Sequence, residues 1–240
     1  MYALVLAGGR GERLRPLTDT VPKPMVPVLD RPILWWHLKW LKYYGVTHVV
    51  MLVRYQWEAI RDYFGEGKEL GLKITYSVES EPLGRGGAIR KGMSTVPASE
   101  KYVLATNGDV LSSEDLGRFM AHGKKLSCPV TIMLAPLISP YGIVEFNEGF
   151  RVTSFREKPR LPHWINAGTY FIQRSMEERF PLKGDHEDSL FPQLAAEGKL
   201  GAYTGEGYWK SVDGFKDLRE AEEALTNLVA QPGPWADVRL

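Results

Sequence analysis

Thiol chemistry is almost absent from this chain of 240 residues, whose single cysteine is Cys128. One cysteine closes no internal disulfide, so the fold does not rest on bridges and a reducing, cytoplasmic setting is expected. Long apolar runs are missing too. MYALVLAGG at the N-terminus carries an apolar stretch of only six residues with no cleavage-site pattern. Nothing nears the roughly 18 residues that span a bilayer, so neither a signal peptide nor a membrane partner is expected. Charge of one sign is also lacking: 30 basic side chains meet 29 acidic ones, for a formal net charge of +1. That balance gives no support to a nucleic-acid groove or an anionic membrane surface as the main partner and makes any positive field local. The five histidines form no i, i+4 pair and no His/Cys cluster, which argues against a zinc site. No G-x-S-x-G frames a serine, so acyl transfer has no support. What remains is 44% apolar and 25% charged, an ordinary globular composition.

The apolar segments fall into a strand–helix alternation. YALVLA (2–7), VTHVVMLV (46–53), LKITYSV (72–78) and KYVLATN (101–107) are short, mostly apolar runs of the kind covered on both faces. Helices are predicted between them. Leu34, Leu38, Leu41 and Tyr44 share one helical face, with Asp30 as cap, Pro32 in the first turn and Gly45 as stop. Residues 56–65 and 85–96 supply two more. This β-α-β-α-β-α-β order predicts a parallel sheet with helices on both faces. PVTIMLA, YGIVEF, RVTSFRE and INAGTYFI follow with only turns between them, and are expected to add antiparallel or mixed strands beside that sheet. Helices are predicted near 185–198 and 214–230, and the tail QPGPWADVRL is left as loose or docked. Trp35, Trp36 and Trp40 share one helix and read as core and rim. No repeat or low-complexity linker breaks the chain. The predicted fold is therefore α/β, a Rossmann-like three-layer α/β/α unit with a mixed, mainly parallel central sheet.

Directly after the first strand stands GGRGERLRP, three glycines in four positions with three arginines before the first proline. Such a turn points backbone N–H groups into a common concavity, and Arg10, Arg13 and Arg15 add charge suited to phosphate. Lys23 stands between Pro22 and Pro24, so its backbone is stiff. The spacing is not that of a P-loop, which needs Gly-x4-Gly-Lys-Ser/Thr, nor that of a dinucleotide fingerprint, since no third glycine opens a helix.

LAGGRGERLRPLTDTVPKPMVPV resembles the signature of the sugar-1-phosphate nucleotidylyltransferases, L-A-G-G-x-G-T-R-L-x-P-L-T followed by P-K-P-M/L. The likeness continues through EPLGRGGA (81–88), NGDV (107–110), YGIVEF (141–146), FREKP (155–159), INAGTYFI (165–172) and GYWKSVDGFKDL (207–218). It implies one GT-A-like catalytic domain over 1–240, with a nucleotide-binding half (1–110) and a sugar-phosphate-binding half with the last helices (111–240). The left-handed β-helix that some members append has no counterpart. The implied reaction is attack by a sugar 1-phosphate oxygen on the α-phosphorus of an NTP, with Mg²⁺ as cofactor and pyrophosphate as leaving group.

By this resemblance Arg13 and Lys23 are catalytic, holding the NTP phosphates and the charge that develops on the leaving group. Ala7, Gly8, Gly9, Gly11, Glu79, Gly84, Arg85 and Asp109 would bind nucleotide, with Gly8, Gly84 and Glu79 bordering the base. Asp109 and Asp213 would hold the metal. Many relatives place the second acid two residues after Trp, where this chain has Ser211; Asp213 stands two further on, a place that would also suit a cap for the last helix. Gly142, Glu157, Lys158, Asn166 and Gly168 would form the sugar-phosphate site. Two residues depart from the pattern: Glu12 replaces a Thr and Arg85 replaces another. Arg85 is left between a phosphate, a base oxygen and an outside stack. Glu187 and Asp188 fall on the predicted helix where relatives carry an acid near the sugar, with surface solvation as the alternative.

An ionised Glu79 accepts hydrogen bonds only, which suits guanine or cytosine better than uracil or thymine. GTP with mannose 1-phosphate is the first pairing, with CTP, UTP or dTTP and glucose 1-phosphate as alternatives. A reading of another class is a catalytically silent relative that binds NDP-sugar as a regulatory subunit. The Ala/Leu-rich final helix and the Trp-bearing tail leave a homodimer open.

Overall fold

A computed structural model describes residues 1–239. The first half runs β1 (Tyr2–Leu6), β2 (Pro27–Val28), β3 (Arg31–Pro32), α1 (Ile33–Tyr43), β4 (His48–Val53), α2 (Trp57–Phe64), β5 (Lys73–Val78), α3 (Gly84–Met93) and β6 (Tyr102–Asn107). It continues with β7 (Val110–Ser112), α4 (Leu116–Leu126), β8 (Val130–Ile138), β9 (Ile143–Phe146), β10 (Val152–Arg156) and β11 (Arg160–Gln173). α5 (Leu190–Ala196), β12 (Leu200–Thr204), β13 (Trp209–Ser211) and α6 (Phe215–Leu228) close the chain.

Seven strands form the central sheet in the order β12-β8-β11-β6-β1-β4-β5. β1 pairs in parallel with both β4 and β6, and β11 alone runs against its neighbours. Strand side chains alternate between faces, so neighbours in β1 enter different cores. Ala3 and Val5 pack with Leu34, Leu38 and Leu41 of α1, while Leu4 packs with Ala88, Ile89 and Met93 of α3 and with Leu190 and Leu194 of α5. The three layers follow from that alternation.

Four expectations are corrected. Asp30 does not cap α1; Pro32 occupies the cap position with no side-chain cap, its fixed φ leading into the first turn. Of the predicted 185–198 helix only Leu190–Ala196 is α-helical, so Glu187 and Asp188 lie in the turn before it. YGIVEF and RVTSFRE do not join the sheet. They pair with each other as a separate two-stranded hairpin, because β8 pairs directly with β11 and leaves β9 and β10 no sheet partner. The third predicted helix ends at Met93, three residues early.

Trp36 and Trp40 are fully buried, and their indole N–H groups donate to the carbonyls of Val28 (3.0 Å) and Glu114 (2.8 Å). The tail is docked: Trp235 is buried edge-on against Trp36 and donates to its carbonyl at 2.9 Å. Ala221 and Leu225 of α6 are buried as well, so both features that suggested a second copy pack within this chain.

Candidate active site

The carboxyl ends of β1, β4, β5 and β6 open on one side of the sheet. Ala7 N–H donates to the Leu52 carbonyl (2.9 Å), Glu79 N–H to that of Val53 (2.9 Å) and Gly108 N–H to that of Leu6 (2.9 Å). These bonds hold the three following loops around an open cleft of about 810 Å³. Ligands of open α/β sheets bind at such an edge. Gly8, Gly9, Gly11, Arg13, Lys23, Glu79, Gly84, Arg85, Asp109 and Asp213, all named from sequence, line it; Ala7 is buried just behind.

The glycines have different reasons. Gly11 has φ +66°, and a Cβ there would stand 2.6 Å from Cβ of Lys23, so the loop closes over Lys23 only as glycine. Its carbonyl accepts from the buried Thr18 hydroxyl at 2.9 Å. A Cβ on Gly9 would meet nothing within 4 Å; the fold does not need glycine there, and the room lies open. Gly84, φ +74°, starts α3 pressed against the backbone of Gly184, where a Cβ would come within 2.7 Å. The Gly184 carbonyl accepts from Gly86 N–H at 3.0 Å.

A short antiparallel ladder brings the two acids together. β13 pairs with β7 so that Ser211 faces Val110, and Val212 N–H donates to the Asp109 carbonyl at 3.1 Å. Lys23 Nζ then lies 2.6 Å from Asp109 Oδ2 and 2.7 Å from Asp213 Oδ1. Arg13 donates to the same Asp213 oxygen at 2.8 Å, and the Ser211 hydroxyl donates to Oδ2 at 2.9 Å. Burial pushes the Asp213 carboxyl up, but the Lys23 and Ser211 hydrogen bonds and the charges of Lys23 and Arg13 outweigh it, leaving it below the usual carboxylate range. Burial likewise lowers the Lys23 ammonium, and the two carboxylates more than compensate and raise it. The capping role belongs instead to Asp217, whose Oδ2 accepts from the N–H groups of Asp213 (3.1 Å) and Gly214 (3.0 Å). Asp213 is thereby free to face the cleft. Two carboxylates turned toward one cation make a donor set that suits Mg²⁺, which takes one or two carboxylates and fills the rest with phosphate oxygens and water.

Arg85 faces the cleft with its guanidinium engaged by Asp185 Oδ2 (2.8 Å) and Glu187 Oε1 (3.0 Å), while its backbone N–H donates to Asp185 Oδ1 (2.8 Å). Glu79 Oε2 accepts from Leu83 N–H at 3.0 Å. Glu12 lines the cleft in no ion pair among the described residues; Arg15 pairs with Asp19 at 3.3 Å and Arg10 lies over the Tyr55 ring.

None of the residues expected for the sugar phosphate lines this cleft. Glu157 and Lys158 are exposed after the hairpin, their charged groups 3.9 Å apart, and a Cβ on Gly142 would come within 3.0 Å of Glu157 Oε2. Asn166 is closer in, donating to the Tyr170 hydroxyl (2.9 Å) and accepting from Gly168 N–H (2.9 Å). A Cβ on Gly168 would collide with the Asn107 amide, which itself lines the cleft. Sequence reasoning missed Asn107, Arg54, Asp185 and the supporting role of Ser211; Asn107 opens the NGDV stretch and Ser211 stands where relatives carry the acid, while Arg54 and Asp185 carry no local signal beyond their residue type.

The nucleotidyl transferase family model matches residues 2–227. This chain belongs to that family. Curated relatives of this nucleotidyl transferase include a mannose-1-phosphate guanylyltransferase of Mycobacterium tuberculosis, 35% identical over 97% of this chain and 66% of its own. The catalytic subunit beta of mannose-1-phosphate guanylyltransferase from Danio rerio is 36% identical over 98% of this chain and 67% of its own. The chain thus spans about two thirds of the length of these relatives. Among solved structures, HddC from Yersinia pseudotuberculosis superposes with a TM-score of 0.75 at 26% identity, covering 93% of this chain and 99% of that one. A putative glucose-1-phosphate thymidylyltransferase from Bacillus anthracis shares the GT-A-like fold, with a TM-score of 0.76 at 20% identity, over 98% of this chain and 99% of that one.

Proposed function

We propose that this nucleotidyl transferase moves a GMP group from GTP to mannose 1-phosphate, giving GDP-mannose and pyrophosphate. The observation that carries the reading is the convergence of Arg13 and Lys23 with Asp109 and Asp213 at the carboxyl edge of the sheet. Both reactants are anions, and a sugar phosphate oxygen is already a nucleophile, so the chain has charge to neutralise and a line of attack to fix. A bond forms between that oxygen and the α-phosphorus of GTP, and the bond from the α-phosphorus to the bridging oxygen breaks, its electron pair leaving with pyrophosphate. Arg13 and Lys23 draw the phosphates into the cleft and offset charge on the leaving group. Asp109 and Asp213 would hold Mg²⁺, which when bound supplies positive charge to the phosphate oxygens. Glu157, Lys158, Asn166 and Gly168 would receive the sugar phosphate, and Gly142 lets the Phe155 ring and Glu157 approach the backbone closely.

Two facts support guanine. The mannose-1-phosphate guanylyltransferases named above align with nearly the whole chain, and HddC has also been crystallised with GMP-PN at 25% identity. Glu79 keeps Oε1 beyond its bond to Leu83, an acceptor of the kind that guanine N1–H and N2–H require.

Pyrophosphate release from each of GTP, CTP, UTP and dTTP with mannose and glucose 1-phosphates, with and without Mg²⁺, tests the proposal. Fastest turnover is expected with GTP and mannose 1-phosphate, and only with Mg²⁺. A faster pair of another base or sugar overturns the substrate assignment, and no turnover with any pair leaves the silent NDP-sugar-binding reading in its place.

A further inference from the structure

Lys23 stands between the two acids that would hold a metal ion. Its side chain keeps a tenth of its surface exposed and its ammonium touches both carboxylates, at 2.6 and 2.7 Å. Arg13 and Ser211 complete the shell of Asp213, so both oxygens of that carboxylate have protein donors. Asp109, Asp213, Arg13 and Lys23 together sum to zero formal charge. The lysine is also fixed from behind, with Gly11 closed over its Cβ and a single 3-10 turn over Lys23–Met25.

A divalent ion and the ammonium would compete for the same carboxylates. The ion would have to expel the ammonium from both carboxylates. Free Mg²⁺ alone would bring the cluster to a formal +2 and leave Lys23 with no anion to receive it, buried in surroundings that penalise an unpaired charge. A triphosphate changes that balance, because its oxygens accept Lys23 and Arg13 as the carboxylates let them go. We propose that Lys23 is a built-in counter-cation that closes the Asp109–Asp213 pair to free divalent metal and opens it when a triphosphate takes the ammonium. Metal and nucleotide then bind as a coupled pair, each raising the affinity for the other by the same factor. This rests on the metal-assisted reading above and adds an order of assembly to it.

The test is binding of Mn²⁺ to the full chain, read without nucleotide from the electron paramagnetic resonance of the free ion and with GTP by equilibrium dialysis, which counts Mn²⁺ held on the protein side beyond that in the matched GTP buffer, and without sugar phosphate so that nothing turns over. Wild type is compared with Lys23→Met and Lys23→Gln, each checked for folding by circular dichroism, with and without GTP. In the absence of nucleotide the variants are expected to bind Mn²⁺ at least about tenfold more tightly than wild type, and adding Asp213→Asn to Lys23→Met should abolish that gain. Calorimetry should show Mn²⁺ strengthening GTP binding to wild type far more than to the variants. Equal Mn²⁺ affinity of wild type and variants without GTP overturns the counter-cation role while leaving the metal site intact. Absence of protein-bound Mn²⁺ in every arm, GTP included, overturns both this inference and the metal assignment beneath it.

Discussion

Three donors from three parts of the chain meet on the Asp213 carboxylate: Lys23, Arg13 and Ser211. On the proposed reading Asp213 would hold the metal, and losing that carboxylate charge costs more than losing one neutral hydrogen bond to it. Asp213→Asn is therefore expected to lower kcat/KM by about a thousandfold, roughly 4 kcal/mol, and Ser211→Ala by about tenfold. Steady-state kinetics checks the order; if Ser211→Ala proves the more damaging, the wrong residue has been assigned to the metal. The loop glycines separate in the same way. Gly11→Ala forces a left-handed φ and a 2.6 Å approach to Lys23, so it should destabilise by about 1–3 kcal/mol in thermal or denaturant unfolding. Gly9→Ala meets nothing in the fold, so it should leave unfolding unchanged and raise KM for GTP by about tenfold, or 1.4 kcal/mol. From sequence, Lys23, Asp109 and Asp213 were legible through a spaced motif. Asp217 and Asp185 were not, because their roles come from neighbours brought close by folding.

Elements of uniform apolar sequence were legible and those carrying mixed signals were not. β1, β4, β5 and β6 appear where the runs of apolar residues place them, within a residue or two. α4 gives a weak signal because Gly117 and Gly123 interrupt it, at roughly 1 kcal/mol each relative to alanine. It forms because Asp115 caps it, accepting from Arg118 N–H at 3.0 Å, and because Leu116 and Phe119 are buried. β13 has three residues, too few for any period to show. The hairpin teaches a further point: alternation marks YGIVEF and RVTSFRE as strands but says nothing about which strand each will pair with. Phe146 and Phe155 are 63% and 66% exposed, so no core residue ties this pair to the sheet. The start of α3 ties the nucleotide edge to residues 184–187 through Gly84 and Arg85. Gly84→Ala, with φ +74° and the Gly184 backbone 2.7 Å away, is expected to lower Tm by several degrees, about 1–3 kcal/mol.

In the whole molecule two histidines lie fully inside the cores and contribute to the response to acid, beside the carboxyls of Asp185 and Asp213, which their partners hold below the usual range. Burial lowers His37 from 6.5 to about 4, against the opposing pull of the Val110 carbonyl and Asp109. Burial, then the charge of Arg85, lowers His186 to about 3, with Asp185 opposing. Both are neutral in the folded chain and take a proton in the unfolded chain below pH 6.5. Stability is thus full above 6.5 and falls as pH drops toward 4 for His37 and toward 3 for His186. Among the described residues neither His186 ring nitrogen makes a hydrogen bond, although Glu187 Oε2 lies 3.2 Å from Nδ1, and Phe180, Phe191 and Tyr170 pack against the ring. His186→Leu should therefore lose less unfolding free energy than wild type between pH 7.5 and 4.5; equal losses would show that this ring does not set the acid limit. The three-layer order was legible from strand–helix alternation, whereas the assembly of the cleft was not, since it needs β13 to cross to β7 and the 184–187 turn to meet α3. What the assembled cleft does is tested most directly by following labelled GTP with mannose 1-phosphate. Label at the α-phosphorus should appear in GDP-mannose and label at the γ-phosphorus in pyrophosphate, both about a thousandfold more slowly in Asp213→Asn. Label from the γ-phosphorus on the sugar, or none transferred from the α-phosphorus, would contradict nucleotidyl transfer to mannose 1-phosphate at this site.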